Sequence, residues 1–359
     1  MNQDALQSLR ERIDELDAKI LELLNERARI ALEVARIKHD QNGPFYVPER
    51  ERAILDRISA LNQGPLPASS VRAIFREVMS ATRSLEKPTR VGFLGPADTF
   101  SHMAALRVFG RSAEYHPLPS FVDIFTEVER GHVDYGVVPV ESSMGGSVGE
   151  ILDCFISFDL KIINEVMLRI AQNLLAKGSM DKIKRVYSKD NALLQCRNWL
   201  RANLPHAELI PTSSTAEAAR RAAQEEDAAA IASALAAQTH GLTILAEHIE
   251  DRPQNYTRFL VLGKQWAKPT GNDKTALLLA VVDRPGALYQ LLLPFAEAGI
   301  NLTRIESRPS QERPWDYVFF LDFVGHVEDP HVAAVLEQIS GCTKMLRILG
   351  SFPRARLED

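Results

Sequence analysis

Arginine and lysine side chains recur in the first forty residues at spacings that could hold a small anion. Arg27 occupies one position in an apolar series whose spacings alternate between three and four residues, the pattern of a coiled-coil helix. Lys38 lies almost a whole number of turns beyond Arg27, so both cations share a face, whereas Arg10 points about 100° away. These cations favour a site for carboxylates, although Arg27 alone could equally set the register of an ordinary coiled coil.

The element that must position these cations is a predicted helix over residues 6–38. At roughly 50 Å it is longer than a domain of this size can cover, so its apolar stripe predicts a second copy of itself and an interlocked dimer. Two more helices are predicted, over residues 48–61 with Pro48 in the first turn, and from residue 69 or 70 to about 86. Charged side chains turned inward from these helices would form a cage for a small dianion that carries a hydroxyl. They are Arg10, Arg27, Lys38, Arg50, Glu51 and Glu86.

These residues resemble the all-helical chorismate mutase family. Its reaction, from chorismate to prephenate, needs no nucleophile, metal or cofactor, because cations orient the substrate and stabilise charge on the breaking ether oxygen. The resemblance implies that Arg27 and Arg10 of the partner subunit clamp the two carboxylates. It also implies that Lys38 contacts a carboxylate and the ether oxygen, that Glu51 accepts a hydrogen bond from the substrate hydroxyl, and that Glu86 faces the ether oxygen.

Arg50 and Thr82 complete the substrate-binding set that this resemblance implies. The sequence departs from the well-studied bacterial members at three positions. Val47 stands where those members have Asp, Thr82 where they have Ser, and Glu86 where they have Gln, although fungal relatives use Glu there.

The composition of the whole chain restricts the kinds of partner. The 359 residues are 45% hydrophobic and 25% charged, as in a soluble protein of two or three domains, and a net charge of −5 without a basic block argues against nucleic acid. Cys154, Cys196 and Cys342 are too few and too scattered for a disulfide framework or a zinc site. No apolar run approaches 18 residues and no leader pattern is present, so we expect a cytoplasmic protein without membrane contact, metal or cofactor.

A second region begins after Pro88, where strands, turns and helices alternate to about residue 262. This order predicts an α/β domain with parallel strands, in which ligands bind beyond the carboxyl ends of the strands. Gly92 and Gly95 do not have the spacing of a dinucleotide site. Several predicted strands are followed by hydroxyl-bearing residues, each of which alone is more typical of a helix cap or a turn. They are Thr99, Ser101, Ser142, Ser143, Ser188, Ser213, Ser214, Thr215 and Thr257.

Taken together, these segments resemble prephenate dehydratase over residues 90–264. The resemblance rests on Gly92-Phe93-Leu94-Gly95-Pro96, Val137-Val138-Pro139-Val140-Glu141-Ser142-Ser143, Ser214-Thr215-Ala216-Glu217-Ala218-Ala219 and, most specifically, Asn255-Tyr256-Thr257-Arg258-Phe259. It implies two lobes, the second over about residues 168–245, with a cleft between them. There prephenate loses CO2 and its ring hydroxyl without a cofactor, and Thr257 donates a hydrogen bond to the departing group. The implied substrate-binding residues are Thr99, Glu141, Ser142, Ser143, Ser188, Asn191, Ser214, Thr215, Arg258 and Phe259.

Four departures from the dehydratase pattern lie near the expected cleft. Asp98 stands where the family has Gly, Ser142 where it usually has Asn, and Gln172 where it commonly has His. Lys189-Asp190-Asn191 replaces a His-Pro-Gln run. These are either compensating changes in a working site or signs of altered activity on prephenate, and both interpretations stay open.

The last region follows a linker at residues 269–273 and has the order βαββαβ, the ferredoxin-like arrangement. It resembles the ACT ligand-sensing domain that is attached to prephenate dehydratases. Two segments match the phenylalanine-binding motifs of that domain, although Gly286 alone would indicate only a turn from strand to helix. The segments are Gly286-Ala287-Leu288 and Glu306-Ser307-Arg308-Pro309, and the resemblance implies that they bind L-phenylalanine as an allosteric inhibitor.

These resemblances predict three domains: a helical chorismate mutase domain over residues 1–88, an α/β prephenate dehydratase domain over residues 90–266 and an ACT domain over residues 274–353. We expect a homodimer or a larger homo-oligomer that makes phenylpyruvate from chorismate for L-phenylalanine synthesis and is inhibited by L-phenylalanine. Two alternatives stay open. One is a chorismate mutase fused to a prephenate-processing domain of altered chemistry, and the other is a non-catalytic amino-acid sensor.

Overall fold

The computed structural model describes residues 2–40, 46–282, 284–310 and 317–357, apart from the side chains of residues 2 and 38–40. The chain forms two compact units. The first contains residues 1–89 and 109–113, and the second contains residues 90–108 and 114–359.

The described part of the first unit forms three helices, as predicted. They are α1 (Asn2–Asp40), α2 (Pro48–Leu61) and α3 (Ala68–Glu86). Pro48 begins α2 beside Glu49 and Glu51, because the first turn of a helix needs no proline N–H and favours negative charge. Helix α3 contacts both other helices and buries Val71 and Met79.

The apolar series on α1 lies outside the core of this unit. Its members are between 47% and 63% exposed. They are Leu6, Leu9, Ile13, Leu16, Ile20, Leu23, Ile30, Val34 and Ile37. The predicted long helix is confirmed, and its apolar stripe is uncovered in the single chain.

The second unit starts with a six-stranded sheet. Its strands within the described residues are β1 (Arg90–Leu94), β2 (Glu114–Leu118), β3 (Tyr135–Ser142), β4 (Gly146–Ser147), β5 (Lys161–Arg169) and β11 (Tyr256–Gly263). Their order is β2-β1-β3-β11-β5, with β4 beside β3. Helices α4 (Phe100–Phe109), α5 (Phe121–Arg130) and α6 (Gly149–Ser157) connect the first strands.

This sheet is mixed, so the predicted parallel strands form only part of it. Strand β1 is parallel to β2 and β3, but β11 is antiparallel to both of its neighbours, β3 and β5. The chain leaves the sheet through β5 and returns beside it through β11.

A second sheet lies between those two strands in the sequence and forms the predicted second lobe. Its described strands are β6 (Asn173–Ala176), β7 (Arg185–Ser188), β8 (Glu208–Pro211), β9 (Ala228–Ala232) and β10 (Thr243–Ala246), in the order β10-β6-β9-β7-β8. Its helices are α7 (Asp190–Gln195), α8 (Arg197–Asn203), α9 (Thr215–Ala222) and α10 (Ala234–His240). Strand β7 is parallel to β8 and β9, whereas β6 is antiparallel to β9 and β10, so this sheet is mixed as well.

The third sheet confirms the predicted βαββαβ order. Its strands are β12 (Asp273–Val281), β13 (Leu302–Pro309), β14 (Tyr317–Val324) and β15 (Thr343–Pro353), and its helices are α11 (Ala287–Glu297) and α12 (Pro330–Ser340). The strands are antiparallel in the order β13-β14-β12-β15.

One apolar core joins the first and third sheets. Phe125 on α5 and Phe155 on α6 meet edge to face, with ring centroids 5.1 Å apart. The same cluster contains Ala276, Leu278, Val318, Phe320, Leu349 and Phe352 from the third sheet. Because close-packed interiors transmit strain, a shift of the third sheet is felt directly by the first.

Candidate active sites

The helical unit brings together four of the residues predicted to surround chorismate. Nη1 of Arg27 on α1 donates to Oγ1 of Thr82 on α3 at 3.1 Å, and Thr82 donates to the backbone oxygen of Val78 at 2.6 Å. Burial and the neighbouring Arg50 lower the pKa of Arg27, against the opposite effect of Glu51. The hydroxyl of Thr82 therefore orients a cation that Arg50 and Glu51 influence electrostatically.

Arg83 belongs to this group, although the sequence reasoning missed it. Its guanidinium pairs with Glu51, donates to the backbone oxygen of Phe109 at 2.7 Å and lies 5.2 Å from the centroid of the Tyr46 ring. Burial raises the pKa of Glu51, against the lowering effect of Arg83. A signal was present, because Arg83 continues the series Val71, Phe75 and Met79 at steps of four along α3.

The remaining predicted members of this group take different positions. Arg10 is exposed on α1, and Glu86 is partly buried in the last turn of α3. The side chain of Lys38 lies outside the described residues. Val47, which stands where bacterial relatives have Asp, precedes α2 without a capping side-chain bond.

The second unit contains a cavity of about 540 Å³ at the end of β3. Its lining includes two predicted residues, Ser142 and Asn191, and six polar or charged residues that the prediction did not include. Those six are Ser147, Gln195, Glu250, Asp251, Arg252 and Asn255. Arg252 is the one cation among the lining residues that the structure describes. The carboxylates of Glu250 and Asp251 in this lining accept backbone N–H bonds from Gln172 and Asn198, so Arg252 is the lining group that can pair with an anion.

Thr257 lies next to this cavity on β11. In the strand pairing it is opposite Ser142 on β3 and Leu168 on β5. The register shifts between Arg258 and Phe259, and such bulges redirect side chains at the ends of strands. The structure therefore brings the predicted donor Thr257 beside Ser142, at the edge where the cavity begins.

Three family models match successive parts of the chain: chorismate mutase type II at residues 9–87, prephenate dehydratase at residues 91–267 and the ACT domain at residues 275–341. A bifunctional chorismate mutase/prephenate dehydratase from Aquifex aeolicus is 47% identical, covering 99% of this chain and 100% of the relative. Another from Stutzerimonas stutzeri is 48% identical, covering 99% of each. This chain belongs to the bifunctional chorismate mutase/prephenate dehydratase family.

A solved structure supports the assignment of the second and third regions. The prephenate dehydratase of Arthrobacter aurescens, in complex with L-Phe, is 36% identical and covers 74% of this chain and 90% of its own, with a TM-score of 0.68. The predicted fold class is confirmed: a helical chorismate mutase region, an α/β dehydratase region and a C-terminal ACT domain.

In the dehydratase domain, three predicted substrate-binding hydroxyls form hydrogen bonds within the chain. Ser188 is fully buried and donates to the backbone oxygen of Ile231 at 2.7 Å. Ser214 caps α9, whose first residue is Thr215, and Thr99 bonds within the turn before α4. These placements favour the cap and turn interpretations for Ser214 and Thr99, and a structural bond between strands for Ser188.

Ser143 and Glu141 flank Ser142 on the same dehydratase strand. The hydroxyl of Ser143 donates to the backbone oxygen of Gln254 at 3.1 Å and accepts from the backbone N–H of Tyr256 at 2.9 Å, so it fixes the segment that leads to Thr257. Glu141 is partly exposed, 3.9 Å from Nη1 of Arg258.

A group of buried amides supports the wall of the dehydratase cavity. Oε1 of Gln195 accepts from Nε2 of Gln172 at 3.3 Å and from Nδ2 of Asn255 at 3.2 Å. One oxygen of Glu250 accepts from the backbone N–H of Gln172 at 2.9 Å, and the other lies 3.6 Å from Arg169. Gln172 thus takes part in this group where the family commonly has His, and the amides join segments from both lobes.

Arg258 and Phe259 are buried, at 6% and 2% exposed, although both were predicted to bind prephenate. The guanidinium of Arg258 pairs with Glu165 on β5 and with Asp322 on β14. The side chain of Phe259 is part of the interior. These positions favour structural roles for both residues, which no local sequence pattern distinguishes from binding.

Asp98 adopts a left-handed backbone conformation, with φ of 66°, which favours glycine, the residue that the family resemblance implies at this position. The side chain of Asp98 contacts residues of the second lobe. Oδ1 accepts from Oγ1 of Thr239 at 2.9 Å, and Oδ2 lies 3.7 Å from Nε2 of His240. Ser233 donates to its backbone oxygen at 3.1 Å. The departure at Asp98 is thus accompanied by a bond between the lobes.

The ACT domain places the two predicted phenylalanine motifs on α11 and β13. Gly286 has a φ of 80° and precedes Ala287 and Leu288 at the start of α11, a conformation that favours glycine. Along β13, Glu306 and Arg308 are partly buried, whereas Ser307 and Pro309 are exposed. The second motif therefore presents two faces rather than one.

Dehydratase elements hold the partly buried face of β13. Glu306 accepts a hydrogen bond from Ser147 on β4, and Arg304 donates to the same hydroxyl at 2.9 Å. Arg308 pairs with Asp153 on α6 at 2.6 Å. The motif predicted to bind the effector is thus already bonded to the wall of the dehydratase cavity.

Among the described residues, no group of histidine, cysteine, aspartate or glutamate side chains has the arrangement of a metal site. The same part of the chain contains no helix long and apolar enough to span a membrane.

Proposed function

We propose that this protein converts chorismate to prephenate and prephenate to phenylpyruvate, and that L-phenylalanine inhibits it. The observation that carries the proposal is the joint presence, in one chain, of a buried cation site on helices and a polar cavity beside Thr257. Family membership over almost the full length supports both activities and favours an enzyme over the non-catalytic sensor.

In the proposed mutase site, Arg27 binds a carboxylate of chorismate. Thr82 fixes its guanidinium, so little reorganisation is needed when charge moves onto the ether oxygen. Arg83 fixes Glu51 in the same way, and Glu51 accepts a hydrogen bond from the substrate hydroxyl. Lys38 and Glu86 complete the contacts to the ether oxygen as the family resemblance implies.

A homodimer would complete this site. The apolar series of α1 is uncovered in the single chain, and a second copy of the same helix has the matching spacing to cover it. The exposed Arg10 would then reach the neighbouring site, as the resemblance implies.

In the proposed dehydratase reaction, the ring carboxylate leaves as CO2 and its bonding electron pair enters the ring, which expels the hydroxyl. The departing oxygen takes up a proton and leaves as water, and Thr257 donates the hydrogen bond that assists this step. The carboxylate of the side chain needs a cation, and Arg252 is the cation of the cavity lining. Binding that carboxylate, rather than the one lost as CO2, leaves the reacting carboxylate free of stabilisation.

Inhibition by L-phenylalanine is proposed to start at Gly286 and the exposed face of β13. The dehydratase structure from Arthrobacter aurescens holds L-Phe, and this chain matches the ACT domain model. We also propose a cytoplasmic location, which the free thiols of Cys154, Cys196 and Cys342 support.

The test follows chorismate loss and phenylpyruvate formation with the purified full-length protein. Arg27→Ala should abolish chorismate loss, and Thr257→Ala should abolish phenylpyruvate formation from prephenate while chorismate loss continues. Each variant is the control for the other because each reaction has its own site. Normal chorismate turnover in Arg27→Ala, or normal dehydration in Thr257→Ala, would contradict the site assignment.

Mixing two inactive variants tests the shared mutase site. Arg10→Ala and Arg27→Ala should each be inactive, but a mixed dimer contains one site with both arginines. Random exchange should restore about a quarter of the wild-type mutase activity. Absence of any recovery after verified exchange would contradict a site shared between subunits.

A further inference from the structure

Four buried charged residues join the strand of Thr257 to the ACT sheet. Arg258 on β11 pairs with Glu165 on β5, with Nε 2.6 Å from Oε2, and with Asp322 on β14, with Nη1 2.5 Å from Oδ2. Lys274 on β12 pairs with Glu165 at 3.0 Å. This charge cluster has two cations and two carboxylates, so it is neutral as a whole. It combines two strands of the dehydratase domain with two of the ACT domain.

Each member of the charge cluster depends on the others because all four are buried. Burial alone raises the pKa of Glu165, but Arg258 and Lys274 outweigh burial and hold that pKa below its ordinary value. In the same way, burial lowers the pKa of Arg258 and its two carboxylate partners raise it above the ordinary value. Removal of one member leaves an uncompensated charge in the interior.

Within the charge cluster, Arg258 and its two carboxylate partners fix β11 next to Thr257. Neighbouring residues of a strand point to opposite faces, so Arg258 anchors the strand on the side away from the Thr257 side chain. The register shift directly after Arg258 interrupts the regular ladder with β3 at this point. The backbone hydrogen bonds between β11 and β3 therefore restrain Thr257 less at this point, and the side-chain bonds of Arg258 add a second restraint on its position.

Asp322 on β14 contributes to this restraint. It links β11, which carries Thr257, to β13, which carries the predicted effector motif. Its partner in the sheet is Arg304 on β13. Arg304 donates to Glu306 at 2.6 Å and to Ser147 of the cavity wall at 2.9 Å. A continuous series of contacts thus runs from the predicted effector motif through Asp322 to Arg258.

We propose that Asp322 is a positioning residue of the dehydratase, whose carboxylate holds Arg258 and thereby holds Thr257 against the ring hydroxyl of prephenate. The inference rests on the proposed dehydratase function. It makes the ACT domain a part of the dehydratase site even when no effector is bound. An effector that displaces β13 and β14 acts on Thr257 through the same contact.

The test compares Asp322→Asn with Lys274→Gln, since each removes one charge from the charge cluster but only the first removes an ion pair with Arg258. Asp322→Asn should lower kcat for prephenate roughly tenfold to a hundredfold, the scale expected when a catalytic group is misplaced. KM should stay within about twofold, because substrate contacts remain. Lys274→Gln should lower Tm similarly and keep kcat near the wild-type value. Mutase activity is the internal control in both proteins.

The double variant Asp322→Asn/Lys274→Gln separates positioning from stability, and it replaces the single variant if that fails to fold. Arg258 and Glu165 then remain as a neutral pair, so Tm should recover in part while kcat for prephenate stays low. Recovery of kcat together with Tm would overturn the proposal, as would a normal kcat in Asp322→Asn or equal kcat losses in both single variants. A wild-type protein that forms no phenylpyruvate would instead refute the proposed function.

Discussion

Replacing Glu165 with glutamine should destabilise the second unit more than any surface change of the same kind. Glu165 is almost fully buried and accepts bonds from Arg258 at 2.6 Å, from Lys274 at 3.0 Å and from the backbone N–H of Ala355 at 2.9 Å. Glu165→Gln leaves two buried cations with one carboxylate, and breaking a buried pair in this way costs about 3–5 kcal/mol. For a unit of this size, that corresponds to a decrease in Tm of about 6–20 °C.

The control is Glu217→Gln, which removes a carboxylate from an exposed pair. Glu217 bonds to Arg220 and Arg221 on α9, and these bonds lower its pKa to about 2. Because solvent screens such pairs, their loss costs only about 0–1 kcal/mol. Differential scanning calorimetry of both variants and the wild type measures the two shifts in Tm. The reasoning is refuted if Glu165→Gln shifts Tm no more than Glu217→Gln does.

The difference in Tm between the wild type and Glu165→Gln should also depend on pH. The pKa of Glu165 in the folded protein is lowered from 4.5, so its contribution is present above pH 4.5 and is lost as pH falls through the folded-state pKa. The difference in Tm between the wild type and Glu165→Gln should therefore be largest near neutrality and become smaller below about pH 4.5. A constant difference from pH 7 to pH 3 would contradict this account.

Three further changes test the proposed sites. Gly286→Val should raise the phenylalanine concentration for half-inhibition and leave catalysis without phenylalanine unchanged. The reason is that a branched side chain does not fit a φ of 80° at the start of α11. Unaltered inhibition would show that the effector binds elsewhere. Glu86→Gln should raise mutase activity, because an amide N–H donates to the ether oxygen whereas an ionised carboxylate repels the charge that develops there. An unchanged rate would make Glu86 a bystander. Arg252→Gln should raise KM for prephenate roughly tenfold, with Arg252→Lys intermediate and mutase activity unchanged; an unchanged KM would exclude Arg252 as the carboxylate ligand.

Features repeated within one element could be predicted from the sequence, and features that join distant strands could not. The apolar spacing on residues 6–38 predicted α1, and Pro48 predicted the start of α2. Arg83 gave a comparable local signal, because it continues an apolar face at steps of four, but that signal was overlooked. By contrast, nothing near Arg258 shows that its partners Glu165 and Asp322 lie 93 and 64 residues away.

Strand direction was also beyond local inference. Alternation of strands and helices predicted an α/β domain with parallel strands, but β11 lies antiparallel between β3 and β5, and the long insertion between β5 and β11 permits either strand direction. The hydroxyl residues illustrate the same limit at the candidate site. Ser142 and Ser188 both end predicted strands, yet Ser142 lines the cavity and Ser188 bonds to the backbone of Ile231 in the interior.

The uncovered apolar stripe on α1 gives the two reactions different dependences on protein concentration. The proposed mutase site needs Arg10 of the partner subunit, whereas the proposed dehydratase site uses Thr257 and Arg252, which one chain brings to the same cavity. Dilution should therefore slow prephenate formation before it slows prephenate consumption, because dissociation removes a component of the first site alone. The ratio of the two rates would then report the fraction of assembled chains in a sample.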